Sequence, residues 1–262
     1  MIKALYTSAT GLSAQQIAVD STSNNLANVN TTGFKRSQPD FQDLLYVTQR
    51  APGSESAQNI TSPQGLQIGS GVRVSGNTKI FTQGTLNNTS NSMDIAIDGD
   101  GFFKVLLPSG ESRYTRDGSF QLSATGQIVT ADGYPVQPGI TVPPNSQNLT
   151  IGTDGTVSVD VPPATTPSVL GQLNLVRFAN PTGLSSEGRN LYAETAASGT
   201  PTQAQAGQQG AGSIRQGFLE GSNVEVVREL VNLILAQRAY EFNTRAVRAA
   251  DDMLSYTNNL SR

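Results

Sequence analysis

Residues 223–260 read NVEVVRELVNLILAQRAYEFNTRAVRAADDMLSYTNNL, and this stretch decides the fold. Within it Leu235, Ala239, Phe242, Ala246, Ala249, Met253, Tyr256 and Leu260 follow one another in alternating steps of four and three. That spacing averages about 3.5 residues and keeps one seam of an α-helix turned toward a partner. The run before it, with Val227 and Val231 among its apolar positions, is too wide for a single facing helix. Ser222 or Asn223 can cap the start, with Glu225 in the first turn, where the helix dipole favours a carboxylate. Neither Gly nor Pro follows up to residue 262.

The opposite end of the chain repeats the pattern. Ile2, Leu5, Ala9, Leu12, Gln16, Val19, Ser23 and Leu26 alternate in the same steps, before Asn28, Asn30 and Gly33 stop the helix. Two long heptad-type helices thus bracket the chain and are expected to pair. Their apolar edges exceed what one partner covers, so further copies of the chain are expected to complete them.

Composition points away from catalysis and from nucleic acid. The 262 residues include no Cys and no His, which removes the usual zinc sites, Cys nucleophiles and His-dependent triads. Charged residues are 14% and the net charge is −3, too little positive charge for a phosphate backbone as partner. No apolar run is long enough to span a bilayer, and Thr7, Ser8 and Thr10 interrupt any signal-peptide core. Asp98-Gly99-Asp100-Gly101 lacks the later ligands of a calcium loop and is expected to be a turn. No cofactor or metal is implied.

From Ile80 to about Glu194 the pattern changes to short β runs, 94–97, 102–107, 120–122, 128–130, 148–151, 156–159 and 172–178. Asp-Gly and similar pairs between them suit tight turns, so a mainly antiparallel sandwich or open barrel is expected. Residues 51–71 have the composition of an exposed loop, and 196–218 that of a low-complexity linker. The fold class is therefore α+β. Its parts are a terminal helical assembly domain (1–30 and 220–262), a connector with an extended loop at about 46–72 (31–80 and 200–219), and a β-rich domain (81–199).

The segment Ser23-Asn24-Asn25-Leu26-Ala27-Asn28-Val29-Asn30-Thr31-Thr32-Gly33-Phe34-Lys35 resembles the N-terminal signature of the bacterial flagellar rod and hook family. Tyr114-Thr115-Arg116-Asp117-Gly118, Gly217-Phe218-Leu219-Glu220-Gly221-Ser222-Asn223 and Gln237-Arg238-Ala239-Tyr240-Glu241 are similar to further words of the same family. The run 63–73 resembles a segment that separates a rod member from the hook member, and implies a loop that clamps neighbouring subunits. The resemblance implies a structural rod subunit, not an enzyme, that is exported without a cleavable signal and assembles helically with itself into a hollow drive shaft in the basal body. Proximal rod and hook subunits would meet the two ends, and ring or bushing proteins would surround it. A hook or proximal rod subunit is the nearest alternative, and a secreted glycan-binding or hydrolytic β domain the alternative of another class.

On this reading Leu5, Leu12, Val19, Leu26, Asn28, Gly33, Phe34, Val227, Val231, Leu235, Phe242, Met253 and Leu260 carry self-assembly. Arg238, Glu241, Arg245, Arg248 and Asp252 form a charged stripe, either pairing along the helix as Glu241 with Arg245 and Arg248 with Asp252, or bridging subunits.

Overall fold

A computed structural model describes residues 2–53, 55–57, 60–61, 63–162 and 167–260. The chain divides into two compact units, one comprising Met1–Ala27, Ser37–Thr78 and Glu225–Arg262, the other Asn28–Arg36 and Lys79–Val224.

The first unit is built on α1 (Ile2–Ala27) and α2 (Val226–Leu260). Asn25 reaches Glu229, and Gly11 lies against Asn243, so the two helices pack side by side and run antiparallel. α2 begins later than the capping expectation. Asn223 is the reason, because its side chain is engaged elsewhere, while Glu229 occupies the first turn. Strands also lie within residues 37–78 of the same unit. Ser37–Asp43 pairs with Val72–Lys79, and Tyr46–Arg50 pairs antiparallel with Leu66–Gly69. The region expected to be an exposed loop thus contains paired strands, Tyr46–Arg50 with Leu66–Gly69 and Glu55–Ala57 with Ile60–Thr61, whose backbone groups satisfy one another where they pair. Ser54, Gln58, Asn59 and Ser62, within the expected loop, lie outside the described residues.

The second unit is a mainly antiparallel β structure. Its largest sheet has six strands in the order Ser185–Gly188, Leu191–Ala193, Ser112–Thr115, Phe102–Leu106, Asn174–Arg177 and Thr202–Gln205. Side chains alternate across the sheet, so neighbours in one strand serve different cores. Phe103, Val105 and Leu175 join Ile95, Ile97, Phe120 and Ile214 in one cluster, while Phe102, Tyr114 and Val176 join Phe178 and Tyr192 in another. Edge-on rings close both, Phe103 on Phe120 at 5.0 Å and Tyr114 on Phe178 at 4.8 Å.

Three strands replace the expected linker. Thr202–Gln205 pairs with Asn174–Arg177, Ser213–Gln216 with Ile95–Asp98, and Phe218–Glu220 with Leu86–Asn88. Their Gln, Gly, Ala and Thr content shows little apolar alternation, and each partner is distant in sequence. Burial of Ala204, Ala206, Ala211 and Ile214 fixes them instead.

Candidate assembly surface

Buried positions on α2 fall at Glu229, Ala236 and Ala250, with Leu233, Asn243, Val247 and Leu254 half-buried in the same four-three rhythm. On α1 the buried residues are Ala14, Ser21, Thr22 and Asn25. The buried set is largely small and polar, and its α1 members Ser21 and Asn25 also bond Ser37 of the neighbouring strand. Asn25 makes three directed hydrogen bonds here. Its Nδ2 donates to Ser37 O at 2.8 Å and to Glu229 Oε2 at 3.4 Å, and its Oδ1 accepts from Ser37 N at 2.8 Å. This buried amide ties α1 to the strand at Ser37 and, through Glu229, to α2.

The row of large apolar residues on α2 is left in solvent. Leu235 is 62% and Phe242 64% exposed, and Val227, Val231 and Met253 are exposed as well. Leu260 has no described side chain. Leu5, Leu12, Val19 and Leu26 on α1 are half-buried. Two phases of one heptad period are therefore present on α2, and the helix pair closes the one with smaller residues. An open groove between the helices is lined by Gln16, Val19, Gln237, Tyr240 and Glu241.

The charged stripe pairs differently from its expected i,i+4 pattern. Arg238 Nη1 donates to Glu241 Oε2 at 2.9 Å, three residues on, and Arg245 lies over the Phe242 ring at 5.8 Å. Arg248 and Asp252 are exposed. In the hairpin of the same unit, Leu45 is 88% exposed, and Tyr46, Val47, Leu66 and Ile68 are exposed beside it. Lys3 Nζ donates to Ile68 O at 3.1 Å and Thr10 Oγ1 accepts from Val72 N at 3.3 Å, which holds the hairpin base on α1.

In the β unit, the family-like words converge on one buried cluster that sequence reasoning missed. Lys35 Nζ donates to Glu220 Oε1 at 2.5 Å and to Thr82 O at 2.8 Å. Arg116 donates through Nη1 to Glu220 Oε2 at 3.4 Å and through Nη2 to Gly99 O at 2.8 Å. Gly84 N also donates to Glu220 Oε1, at 2.9 Å. Burial pushes the Lys35 pKa below its ordinary value, Glu220 opposes that shift, and Arg116 adds to it. Arg116 is lowered by burial as well, against the pull of Glu220 and Asp100.

Backbone contacts tie the same three words together. Gly33 adopts φ +67° and its N donates to Glu220 O at 2.8 Å. A Cβ there would stand 2.7 Å from Asp117 N, so any other residue forces backbone to shift. Asn28 Oδ1 accepts from Thr31 Oγ1 at 3.1 Å, and Phe34 is buried with Lys79 Nζ 5.0 Å from its ring centre. Asn223 Oδ1 accepts from Arg36 N at 2.8 Å while its Nδ2 donates to Ile80 O at 2.7 Å and to Thr82. The one available signal for this cluster was the presence of a Lys, an Arg and a Glu inside words that otherwise consist of turn and cap residues.

Comparison with known proteins finds relatives that match this sequence from end to end. Residues 5–35 match a model of the flagella basal body rod protein, 96–159 that of the flagellar hook protein FlgE/F/G D1 domain, and 215–260 that of the flagellar basal body rod FlgEFG protein C-terminal region. The flagellar basal-body rod protein FlgG of Buchnera aphidicola subsp. Schizaphis graminum is 52% identical over 260 residues, covering 99% of this chain and 100% of the relative. FlgG of Caulobacter vibrioides is 48% identical, with 99% of each chain covered, and FlgG of Borreliella burgdorferi is 46% identical over the full length of both.

The chain belongs to the flagellar basal-body rod protein FlgG family. FlgG is a family of structural rod proteins, not of enzymes. Lys35, Arg116 and Glu220 each fall within one of the three matched segments. Among the described residues no group of acidic side chains is arranged to hold a metal ion, and no helix is long and apolar enough to cross a membrane.

Proposed function

We propose that this chain is a rod subunit that polymerises helically with copies of itself, using the open apolar row of α2 as its principal contact. The observation that carries the proposal is the exposure of Val227, Val231, Leu235, Phe242 and Met253 along one 35-residue helix. An apolar stripe of that length on a monomer marks an interaction site. Burying Leu235 and Phe242 fully would each contribute about 1.5–3 kcal/mol. On this reading α1 and α2 pair as a coiled coil through the small-residue phase, and the large-residue phase binds the next subunits. Arg238, Glu241, Arg245, Arg248 and Asp252 then bridge subunits at the edges of that contact.

The hairpin with Leu45, Tyr46, Val47, Leu66 and Ile68 acts as a second contact, a clamp on neighbouring copies that stiffens the polymer. Leu5, Leu12, Val19, Leu26, Asn28, Gly33, Phe34 and Leu260 take part in the same self-assembly. The β unit, read as a sandwich or open barrel, faces the proteins around the shaft. Proximal rod and hook subunits occupy the two ends. Torque is then transmitted by packing alone, through a hollow tube that also conducts exported chains.

Electron microscopy of the purified chain, concentrated under mild salting-out conditions, tests this reading. Straight hollow fibres are the expected result. Dispersed compact particles at every concentration reached, or fibres that persist unchanged when Leu235 and Phe242 are both replaced by Ser, would sink it.

A further inference from the structure

The apolar row of α2 and the open groove between α1 and α2 are two different surfaces. Gln237 and Tyr240 line the groove, and each stands two positions from a row member, Leu235 and Phe242 in turn. Two steps along an α-helix rotate by about 200°, so groove and row leave α2 on nearly opposite sides. α1 supplies the other wall of the groove through Gln16 and Val19. Val19 belongs to the half-buried series with Leu5, Leu12 and Leu26, so the groove reaches an apolar seam of α1 that the chain itself leaves only half covered. Its volume is about 410 Å³, room for whole side chains rather than for a bridging water.

The row has the shape and charge to fill that opening. Leu235 and Phe242 are large, are more than half exposed, and are separated by one heptad, the spacing of successive knobs on a helix that packs into holes of another. Phe242 brings a cation with it, because Arg245 lies over its ring. The groove offers that cation the carboxylate of Glu241, half exposed although it already meets Arg238 of its own helix, and the ring of Tyr240. Row against row would be a two-fold contact, which closes a pair of subunits and leaves the groove empty. Row into groove is a heterologous contact, in which each copy presents one surface and receives on the other, so that repetition is open-ended.

We infer that the α2 row of one copy docks in the α1–α2 groove of the next, with Leu235 and Phe242 packing on Val19 and Tyr240 and with Arg245 reaching Glu241. The inference rests on the self-assembly reading above and names the receiving surface, which that reading leaves open.

Two full-length variants test it. The row variant carries Leu235→Ser and Phe242→Ser and keeps its groove. The groove variant carries Gln16→Lys and Gln237→Lys and keeps its row; the two ammonium groups repel the arriving Arg245 and would lose water beneath Leu235 and Phe242. All four positions are exposed, so both variants are expected to fold. Sedimentation should find each variant alone as a single subunit under the conditions that assemble the wild type. Their equimolar mixture should give a one-to-one complex of twice the subunit mass that grows no further, because only one intact row and one intact groove remain to meet. A groove variant that assembles as the wild type does, or a mixture that stays at the mass of single subunits, overturns the inference and leaves the self-assembly reading standing. Fibres from the row variant alone would instead sink that reading.

Discussion

Lys35 and Glu220 meet at 2.5 Å with both side chains entirely buried, although 185 residues of chain separate them. Each lies in a family-like word near one end of the sequence, and Arg116, from a third word in the β region, completes the cluster. Removing one partner of a buried ion pair leaves the other charge without compensation. Glu220→Ala strands two cations, so a loss of about 3–5 kcal/mol is expected. Lys35→Met leaves Glu220 with Arg116 and should cost less. Urea unfolding of the two variants checks the order, and equal losses would mean that Arg116 does not share the carboxylate.

Gly33 combines a left-handed backbone with contact against Asp117 N and the Arg116 carbonyl carbon. Gly110 has φ +86° but open space around it. Gly110→Ala should therefore cost about 1–2 kcal/mol, the left-handed penalty alone. Gly33→Ala should cost distinctly more, because backbone must also move. Thermal unfolding of both variants gives the comparison.

On α2 the two heptad phases should respond in opposite ways. Leu235→Ser with Phe242→Ser changes exposed positions, so subunit stability should stay within about 0.5 kcal/mol per site while assembly is lost. Ala236→Leu inserts bulk into the closed contact with α1 and should cost about 1–3 kcal/mol. Denaturation of dilute protein and sedimentation of concentrated protein read the two effects separately.

Alkaline pH should act through Tyr114. Burial first, then its hydrogen bond to Glu194 at 3.1 Å, push its pKa from 10.0 up to about 12. The folded state holds this proton more tightly than the unfolded state does, so the stabilisation is complete below pH 10 and is lost as pH rises through about 12. Tyr192 is shifted upward by burial too and adds to the same trend. Urea midpoints measured between pH 9 and 11.5 should fall in the wild type and fall less steeply in Tyr114→Phe.

Much of the architecture was legible in residue order because its causes are local. The four-three spacing and the stop after Ala27 gave both helices, and turn residues bounded the strands at 95–98, 102–106 and 156–160. The strands between 202 and 220 were not legible, since their Gln, Gly and Thr residues gain strand character only from partners elsewhere in the chain.

The sequence by itself determined that α2 carries a heptad period, that catalysis by Cys or His is impossible, and where the rod-family words lie. Only the tertiary structure decided which phase of that period α1 covers, because periodicity fixes spacing but the side-chain volume tolerated between two backbones fixes phase. It also brought Lys35, Arg116 and Glu220 together. A buried charge declares its partner through three-dimensional distance, and nothing in the linear order of residues encodes that distance directly.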